Sequence, residues 1–213
     1  MSWLTDIRPI LETLSFLASI CLAATIVIGL RQLKLLKEDM FIKNKRASVE
    51  KSIEFLNWFA TDFLPKHDEY VNEVKKKEAP LYEGPRNENF VFDSNCNLSM
   101  EPIKDHLQKS IDSRGADLLN QLEYFSAALL SGLADEELAF NPLAHIYCSI
   151  IEGLYVVLCY YRDEESKTMF TNIVTLHKMW KDRLEKMKME IAKNKLIDDI
   201  SKIKDTRIKG IGL

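Results

Sequence analysis

TLSFLASICLAATIVIGL, the sequence of residues 13–30, contains no charged side chain. As a helix, this stretch spans about 27 Å, close to the roughly 30 Å hydrocarbon core of a bilayer. We therefore predict a transmembrane helix over residues 9–30. A cleaved signal peptide is a rival interpretation, but it needs a basic leader, a shorter apolar stretch and a small-residue cleavage site, which this segment lacks. A buried core helix is the other alternative.

Basic residues follow the apolar segment. Over residues 31–51 they outnumber acidic residues seven to three. The positive-inside rule therefore predicts that residues 1–8 lie outside the membrane and that everything after residue 30 lies in the cytoplasm. We interpret the basic run as an ordinary membrane flank, with binding of anionic lipid headgroups as the alternative. The flanking residues are Arg31, Lys34, Lys37, Lys43, Lys45 and Arg46.

The composition favours an all-α fold. Apolar residues make up 46% of the chain, and only 7 glycines and 6 prolines are present, too few for a turn-rich β protein. The 213 residues suffice for one domain and a membrane segment. A net charge of −3 gives no support for a nucleic-acid partner.

Helical periodicity continues through the cytoplasmic part. We predict a basic membrane-proximal helix over residues 31–64 that enters the core and is ended or kinked by Pro65. A helical bundle follows over residues 65–196, with helices at 66–77, 103–111, 117–130 and 168–195. Residues 197–213 are predicted to form a basic tail. Residues 79–100 form one long irregular loop, and loops of this length are either functional or mobile.

Residues 143–161 are apolar almost all round. Asn141 followed by Pro142 is a typical helix start, with Asn as the cap and Pro at the first position. We predict that this helix is the buried centre of the domain. A second membrane span is the alternative, but it would place the basic segment at residues 167–209 outside the membrane.

Three residues on that helix are candidates for chemistry. His145, Cys148 and Glu152 share one helical face, and all three types can bind zinc, but one helix supplies too few ligands. We therefore interpret His145 and Glu152 as buried polar residues. Buried Glu152 needs a partner, such as Arg114, Lys104 or a backbone group. An active carboxylate with a raised pKa is the alternative.

Other sequence features do not indicate catalysis. The four cysteines show no CxxC spacing, which fits reduced, packed thiols. No nucleophile elbow, phosphate-binding loop or HExxH motif is present. Residues 135–137 and 163–165 are acidic runs that predict helix starts. We assign no catalytic, cofactor-binding or metal-binding residue, and we expect neither a cofactor nor a small-molecule ligand.

The segment LLNQLEYFSAALLSGLADEEL, residues 118–138, follows an N-terminal anchor and a basic, aromatic-rich helix. In this arrangement the chain resembles a family of uncharacterised bacterial membrane-anchored helical proteins, a domain of unknown function. The resemblance implies a single-pass protein of the bacterial inner membrane, with a periplasmic N-terminus and a cytoplasmic helical domain. The resemblance implies no catalytic residue. Some proteins of this sort resemble components of defence against phage.

Three functions are compatible with these features. The first is a membrane-tethered interaction module that binds a protein partner or a second copy, as an accessory of a stress or phage-defence system. The second is a membrane-permeabilising effector of abortive infection, because Ser15, Ser19, Cys21 and Thr25 are small residues that permit close helix packing. The third is an enzyme, which would need a polar pocket that joins Glu152 or His145 to the loop.

Overall fold

The structure is a computed structural model that describes residues 3–80, 82–92, 100–162 and 166–202. Within these ranges the chain forms seven α-helices, one π-helical turn and no strand, so the all-α prediction is confirmed. The chain divides into two units, residues 1–48 and residues 49–213. The helices are α1 (Trp3–Trp58), α2 (Leu64–Lys76), α3 (Met100–Asp112), α4 (Gly115–Leu130), α5 (Glu136–Gly153), α6 (Tyr155–Tyr161) and α7 (Thr171–Lys202), with the π-helical turn at Phe59–Phe63.

The first unit consists, over its described residues, of α1 alone. One uninterrupted helix contains both the predicted apolar segment and the predicted basic flank. Large apolar side chains here have no other element of the unit to pack against, and they are exposed. Helix α1 is the one helix in the described chain that is, by itself, long and apolar enough to cross a membrane.

The second unit begins on the last turns of α1 and passes through a π-helical turn just before Pro65. Proline lacks an N–H group and its ring crowds the preceding turn, and wider turns of this kind accommodate such a break. The helical conformation therefore continues past Pro65, which lies in the first turn of α2. Phe59 and Phe63 are both fully buried, with ring centres 4.8 Å apart.

The core of the second unit lies among α4, α5, α6 and α7, with the π-helical turn against α4. Helix α7 packs on α4 and α5, and α3 packs on α6. Burial of large apolar and aromatic side chains supplies the main stabilisation, about 1.5–3 kcal/mol for each fully buried side chain. The largest of them are Phe59, Phe63, Phe125, Phe140, Tyr147, Tyr155 and Trp180.

The predicted start of the central helix at Asn141 is wrong. Helix α5 begins at Glu136, capped by Asp135, whose carboxylate accepts a hydrogen bond from the Leu138 N–H at 3.2 Å. Pro142 lies inside the helix on its exposed side, where water can bond the carbonyl that loses its partner. The prediction that the acidic residues at 135–137 begin a helix is therefore confirmed. They form the cap and first turn of α5, where negative charge opposes the positive end of the helix.

The stretch over residues 143–161 is also not one helix. It breaks at Leu154, and α5 and α6 meet at an angle of 66°. Its apolar side chains are buried within the unit, among them Ile151, Leu154 and Leu158, which are fully enclosed. The expectation of a buried centre therefore holds for this part of the chain.

The boundaries of α2, α3 and α4 differ from the predictions by at most three residues, whereas α7 ends seven residues beyond its predicted end. Helix α7 begins at Thr171 and continues through the first residues of the predicted tail to Lys202. Residues 203–213 of that tail and the acidic run at 163–165 lie outside the described residues, as does the part of the predicted loop at 93–99. Residues 79, 80 and 82–92 are non-helical, as predicted, whereas Met100, the last residue of the predicted loop, is the first residue of α3.

Candidate functional site: an apolar helix and a polar cluster at Glu152

The apolar segment of α1 presents hydrocarbon on all sides. Phe16 is 75% exposed, and Leu14, Leu17, Ile20, Leu22, Ile26, Val27, Ile28 and Leu30 are each more than half exposed. Its hydroxyls are bonded within the helix, because Ser19 Oγ donates to the Ser15 carbonyl at 2.9 Å and Thr25 Oγ1 donates to the Cys21 carbonyl at 2.8 Å. Internal bonding lowers the cost of placing such groups in an apolar medium.

The predicted basic flank lies on the same helix. All six residues, Arg31, Lys34, Lys37, Lys43, Lys45 and Arg46, are exposed. Lys43 forms an ion pair with Asp39, with Nζ and Oδ2 2.7 Å apart, one turn away. A pair this exposed contributes little stability, so the flank acts mainly through its charge.

In the second unit, Glu152 of α5 is the centre of a polar cluster. Lys181 Nζ of α7 donates to Glu152 Oε1 at 2.9 Å, and Arg86 of the loop approaches Glu152 Oε2 at 3.7 Å. His177 Nε2 lies 3.6 Å from Glu152 Oε1, too far for a hydrogen bond. The partners predicted for Glu152, Arg114 and Lys104, are replaced by residues that tertiary packing brings together.

The charges of the cluster shift the ionisation of its members. Burial raises the pKa of Glu152, but the hydrogen bond and charge of Lys181, with His177 and Arg86, outweigh it, and the net pKa is lowered. Burial and the Lys181 charge lower the pKa of His177, although Glu152 opposes them. Glu152 is therefore ionised and His177 neutral at pH 7. The alternative of an active carboxylate with a raised pKa is wrong.

His145 is exposed, so its interpretation as a buried polar residue is wrong, and Glu152 is half-buried rather than buried. It lies on the solvent side of α5, whereas Cys148 is buried on the side that faces α7. Burial raises the pKa of Cys148 to about 11, which keeps the thiol protonated and unreactive at neutral pH. Within the described residues, no group of three His, Cys, Asp or Glu side chains could hold a metal ion.

The described part of the loop packs over the cluster. Asn87 N–H donates to the Tyr155 hydroxyl at 2.9 Å, and Arg162 Nε donates to the Asn89 carbonyl at 3.2 Å. The buried ring of Phe90 meets the His177 ring edge-on, with centres 5.1 Å apart. These contacts join residues 87–90 to Tyr155, Arg162 and His177, and the role of the loop stays a prediction.

Sequence reasoning missed His177, Lys181, Arg86 and Arg162 as members of this region. His177 and Lys181 are four residues apart and therefore share a face of α7. This spacing can be read from the sequence. Which face of α7 meets Glu152 depends on how α5 and α7 pack. Arg86 lies on the loop, which has no periodicity, and Arg162 follows α6 and donates to the Asn89 carbonyl of that loop.

Residues 19–180 match the domain of unknown function DUF4760. The chain belongs to the DUF4760 family. No curated protein and no solved structure matches it. The DUF4760 region begins inside the apolar segment of α1 and extends to Trp180 in the core, so it includes Glu152 and His177 but ends one residue before Lys181. The resemblance to a family of unknown function is confirmed.

Proposed function

We propose that this DUF4760 protein is a membrane-tethered interaction module. The apolar segment of α1 spans the bacterial inner membrane, with the N-terminus in the periplasm and the helical domain in the cytoplasm. The observation that carries the proposal is the exposure of the large apolar side chains over residues 14–30, which a lipid phase covers and water does not. The exposed basic flank supports the orientation, because positive charge is retained on the cytoplasmic side.

The proposal assigns the helical domain a binding role and names no catalytic residue. The buried aromatic core and the capped helices provide a rigid scaffold, and a tether holds that scaffold at the membrane surface. Tethering raises the effective concentration of one partner for another without any new contact. A role in a stress or phage-defence system is part of this proposal and is supported only by the class of proteins that the sequence resembles.

The membrane tether is tested by two matched double variants. Ile20→Arg with Ile26→Arg places two charges in the apolar segment, whereas Ile53→Arg with Ile191→Arg places them at equally exposed isoleucines elsewhere. Each arginine at the centre of a span costs about 2.5–3.5 kcal/mol. We expect the first variant to be released from membranes by alkaline carbonate and the second to stay. Equal retention of both variants would contradict the span.

Orientation is tested separately with reporters. A reporter that is active only in the cytoplasm, fused after Leu213, is expected to be active, and one active only in the periplasm is expected to be silent.

The interaction role is tested by recovery of a tagged full-length chain from native membranes. Failure to recover any stable partner, a second copy included, would contradict an interaction module while leaving the tether intact.

A second candidate function is permeabilisation of the membrane by clustered helices. It is favoured by the small residues Ser15, Ser19, Cys21 and Thr25 in the apolar segment. Small residues allow helices to approach closely in lipid. Membrane potential is measured in cells that express the full chain or a chain without residues 1–30, with and without phage. Depolarisation that requires residues 1–30 would favour this function, and an unchanged potential would exclude it.

A further inference from the structure

Residues 86–90 of the loop form a strap that covers the buried side of His177. Phe90 is 2% exposed, and its ring centre lies 5.1 Å from that of His177 and 5.5 Å from that of Tyr155. The Asn87 N–H donates to the Tyr155 hydroxyl at 2.9 Å. One aromatic ring and a few polar contacts therefore hold the strap on the second unit.

The backbone of Phe90 is strained. Its φ of +53° lies in the left-handed region, which is unfavourable for a residue with a side chain because Cβ approaches the carbonyl oxygen. Such a conformation persists only where surrounding contacts outweigh the strain. Any change that weakens the contact between Phe90 and His177 therefore favours release of the strap.

The His177 ring has no place for a second proton. Its Nε2 is buried and has no hydrogen-bond partner in the described part of the chain. The nearest carboxylate oxygen, Glu152 Oε1, is 3.6 Å away and already accepts a hydrogen bond from Lys181 Nζ at 2.9 Å. The cavity beside the ring has a volume of about 30 Å³, room for about one or two water molecules. A charged imidazolium would therefore be poorly hydrated while the strap is closed.

The charged groups at the strap and around His177 carry an excess of positive charge. They are three cations and two carboxylates, contributed by α7, the strap and α5: Lys178, Lys181, Arg86, Glu88 and Glu152. Two other titratable neighbours, Cys148 and Tyr155, are kept neutral, because burial raises the pKa of each. A proton on His177 would add to the positive excess, and like charges repel each other.

We propose that the strap is acid-sensitive: protonation of His177 releases Phe90 and opens residues 86–90 while the core of the second unit stays folded. Opening lets water reach the imidazolium, relieves the strain at Phe90 and exposes the side of Tyr155 that the strap covers. It involves the second unit alone, so it does not depend on the membrane tether.

Hydrogen exchange of two strap amides measures the opening in the full-length chain in detergent micelles. The Asn87 N–H is bonded to Tyr155, and the Phe90 N–H donates to the Asn87 carbonyl at 3.0 Å, so both exchange when the strap opens. The closed strap keeps His177 neutral, since burial and the Lys181 charge lower its pKa, whereas the open strap restores the ordinary pKa of about 6.5. Between pH 7.5 and 5.5 the open population should therefore rise about tenfold, after correction for the intrinsic pH dependence of exchange.

Matched variants assign the effect to His177. His177→Gln keeps a polar side chain that cannot take the charge, and it is expected to abolish the tenfold change. His145→Gln, at the exposed histidine of α5, should keep it. The amide of Leu122, a fully buried residue of α4, reports unfolding of the core and should stay more protected than both strap amides at each pH.

A second measurement needs no substitution. The imidazole NMR signals of His177 in the unsubstituted chain should be those of a neutral ring at pH 5.5 in all molecules whose strap amides remain protected. A protonated His177 under a protected strap would overturn the proposal, because the charge would then be accommodated without opening.

Three exchange results would also overturn it. Unchanged or increased protection of Asn87 and Phe90 at pH 5.5 would show that acid does not open the strap. A tenfold change that persists in His177→Gln would assign the response to another group. Equal protection of Leu122 and the strap amides would show that the strap opens only when the whole unit unfolds.

Discussion

The carboxylate of Glu123 caps a helix to which it does not belong. Glu123 Oε2 accepts a hydrogen bond from the Ile173 N–H at 2.9 Å, and Glu123 Oε1 accepts from the Asn172 N–H at 3.2 Å and from Asn172 Nδ2 at 2.8 Å. These N–H groups belong to the first turn of α7, where no intrahelical partner exists. A side chain of α4 therefore fixes where α7 begins on the core.

Removal of this cap should destabilise the second unit. Glu123→Ala leaves two N–H groups of α7 without their acceptor and removes a negative charge from the positive end of the helix. We expect a loss of about 1–3 kcal/mol in the free energy of unfolding, measured by denaturant titration of the full chain in detergent micelles. Glu185→Ala, at an exposed position on the same helix, is the control and should change it by less than about 0.5 kcal/mol. An equal loss of unfolding free energy in Glu123→Ala and Glu185→Ala would show that the Glu123 cap does not stabilise the second unit.

Gly115 has no room for a side chain. A Cβ at this position would lie 2.9 Å from the Ser110 carbonyl oxygen and 3.3 Å from Tyr70 Cε2. Gly115→Ala should therefore cost about 1–3 kcal/mol, because backbone must shift. Gly153→Ala meets no atom within 4 Å and should be neutral or stabilising by up to about 1 kcal/mol. Thermal unfolding of both variants distinguishes the two sites, and a destabilised Gly153→Ala would contradict the comparison.

Acid should weaken the fold through His177. Its pKa is lowered by burial and by Lys181, with Glu152 and Glu88 opposing them, so the unfolded chain binds its proton more readily. The stability that neutral His177 contributes is present above the ordinary pKa of about 6.5 and is lost as the pH falls below it.

The measurement is the denaturation midpoint between pH 7.5 and 5. We expect His177→Gln to reduce its decline, whereas His145→Gln, at the exposed histidine, should keep the slope of the unsubstituted chain. Glu152 contributes to the pH dependence of stability at lower pH than His177 does. Its pKa is lowered, so the stability from this carboxylate is lost only as the pH falls through that pKa. An unchanged slope in His177→Gln would exclude His177 as the source.

The Tyr155 hydroxyl should control exchange at Asn87. It accepts the Asn87 N–H at 2.9 Å, and Tyr82 stacks on its ring with centres 5.2 Å apart. Tyr155→Phe keeps the ring and removes the acceptor, so hydrogen exchange of the Asn87 amide should accelerate about tenfold, the equivalent of one hydrogen bond. Tyr160→Phe changes an exposed hydroxyl and is the control. An unaltered rate at Asn87 would show that this bond does not hold the loop.

The sequence by itself determined the elements with strong local signals. The uncharged run at residues 13–30 predicts an apolar helix regardless of its surroundings, and 3.6-residue periodicity locates α4 to within two residues and the start of α7 to within three. The all-α class follows from the same patterns and from the low glycine content. These features depend on local composition, so no knowledge of packing is needed to predict them.

Only the tertiary structure decided where the chain bends and which polar groups meet. Asn141-Pro142 has the local pattern of a helix start, but the Asp135 cap and the solvent-facing position of Pro142 let α5 begin at Glu136. Periodicity alone could not show that His145 is exposed while His177 is buried. Glu152 meets Lys181 because α5 packs on α7, and contacts between residues distant in sequence are set by the whole core.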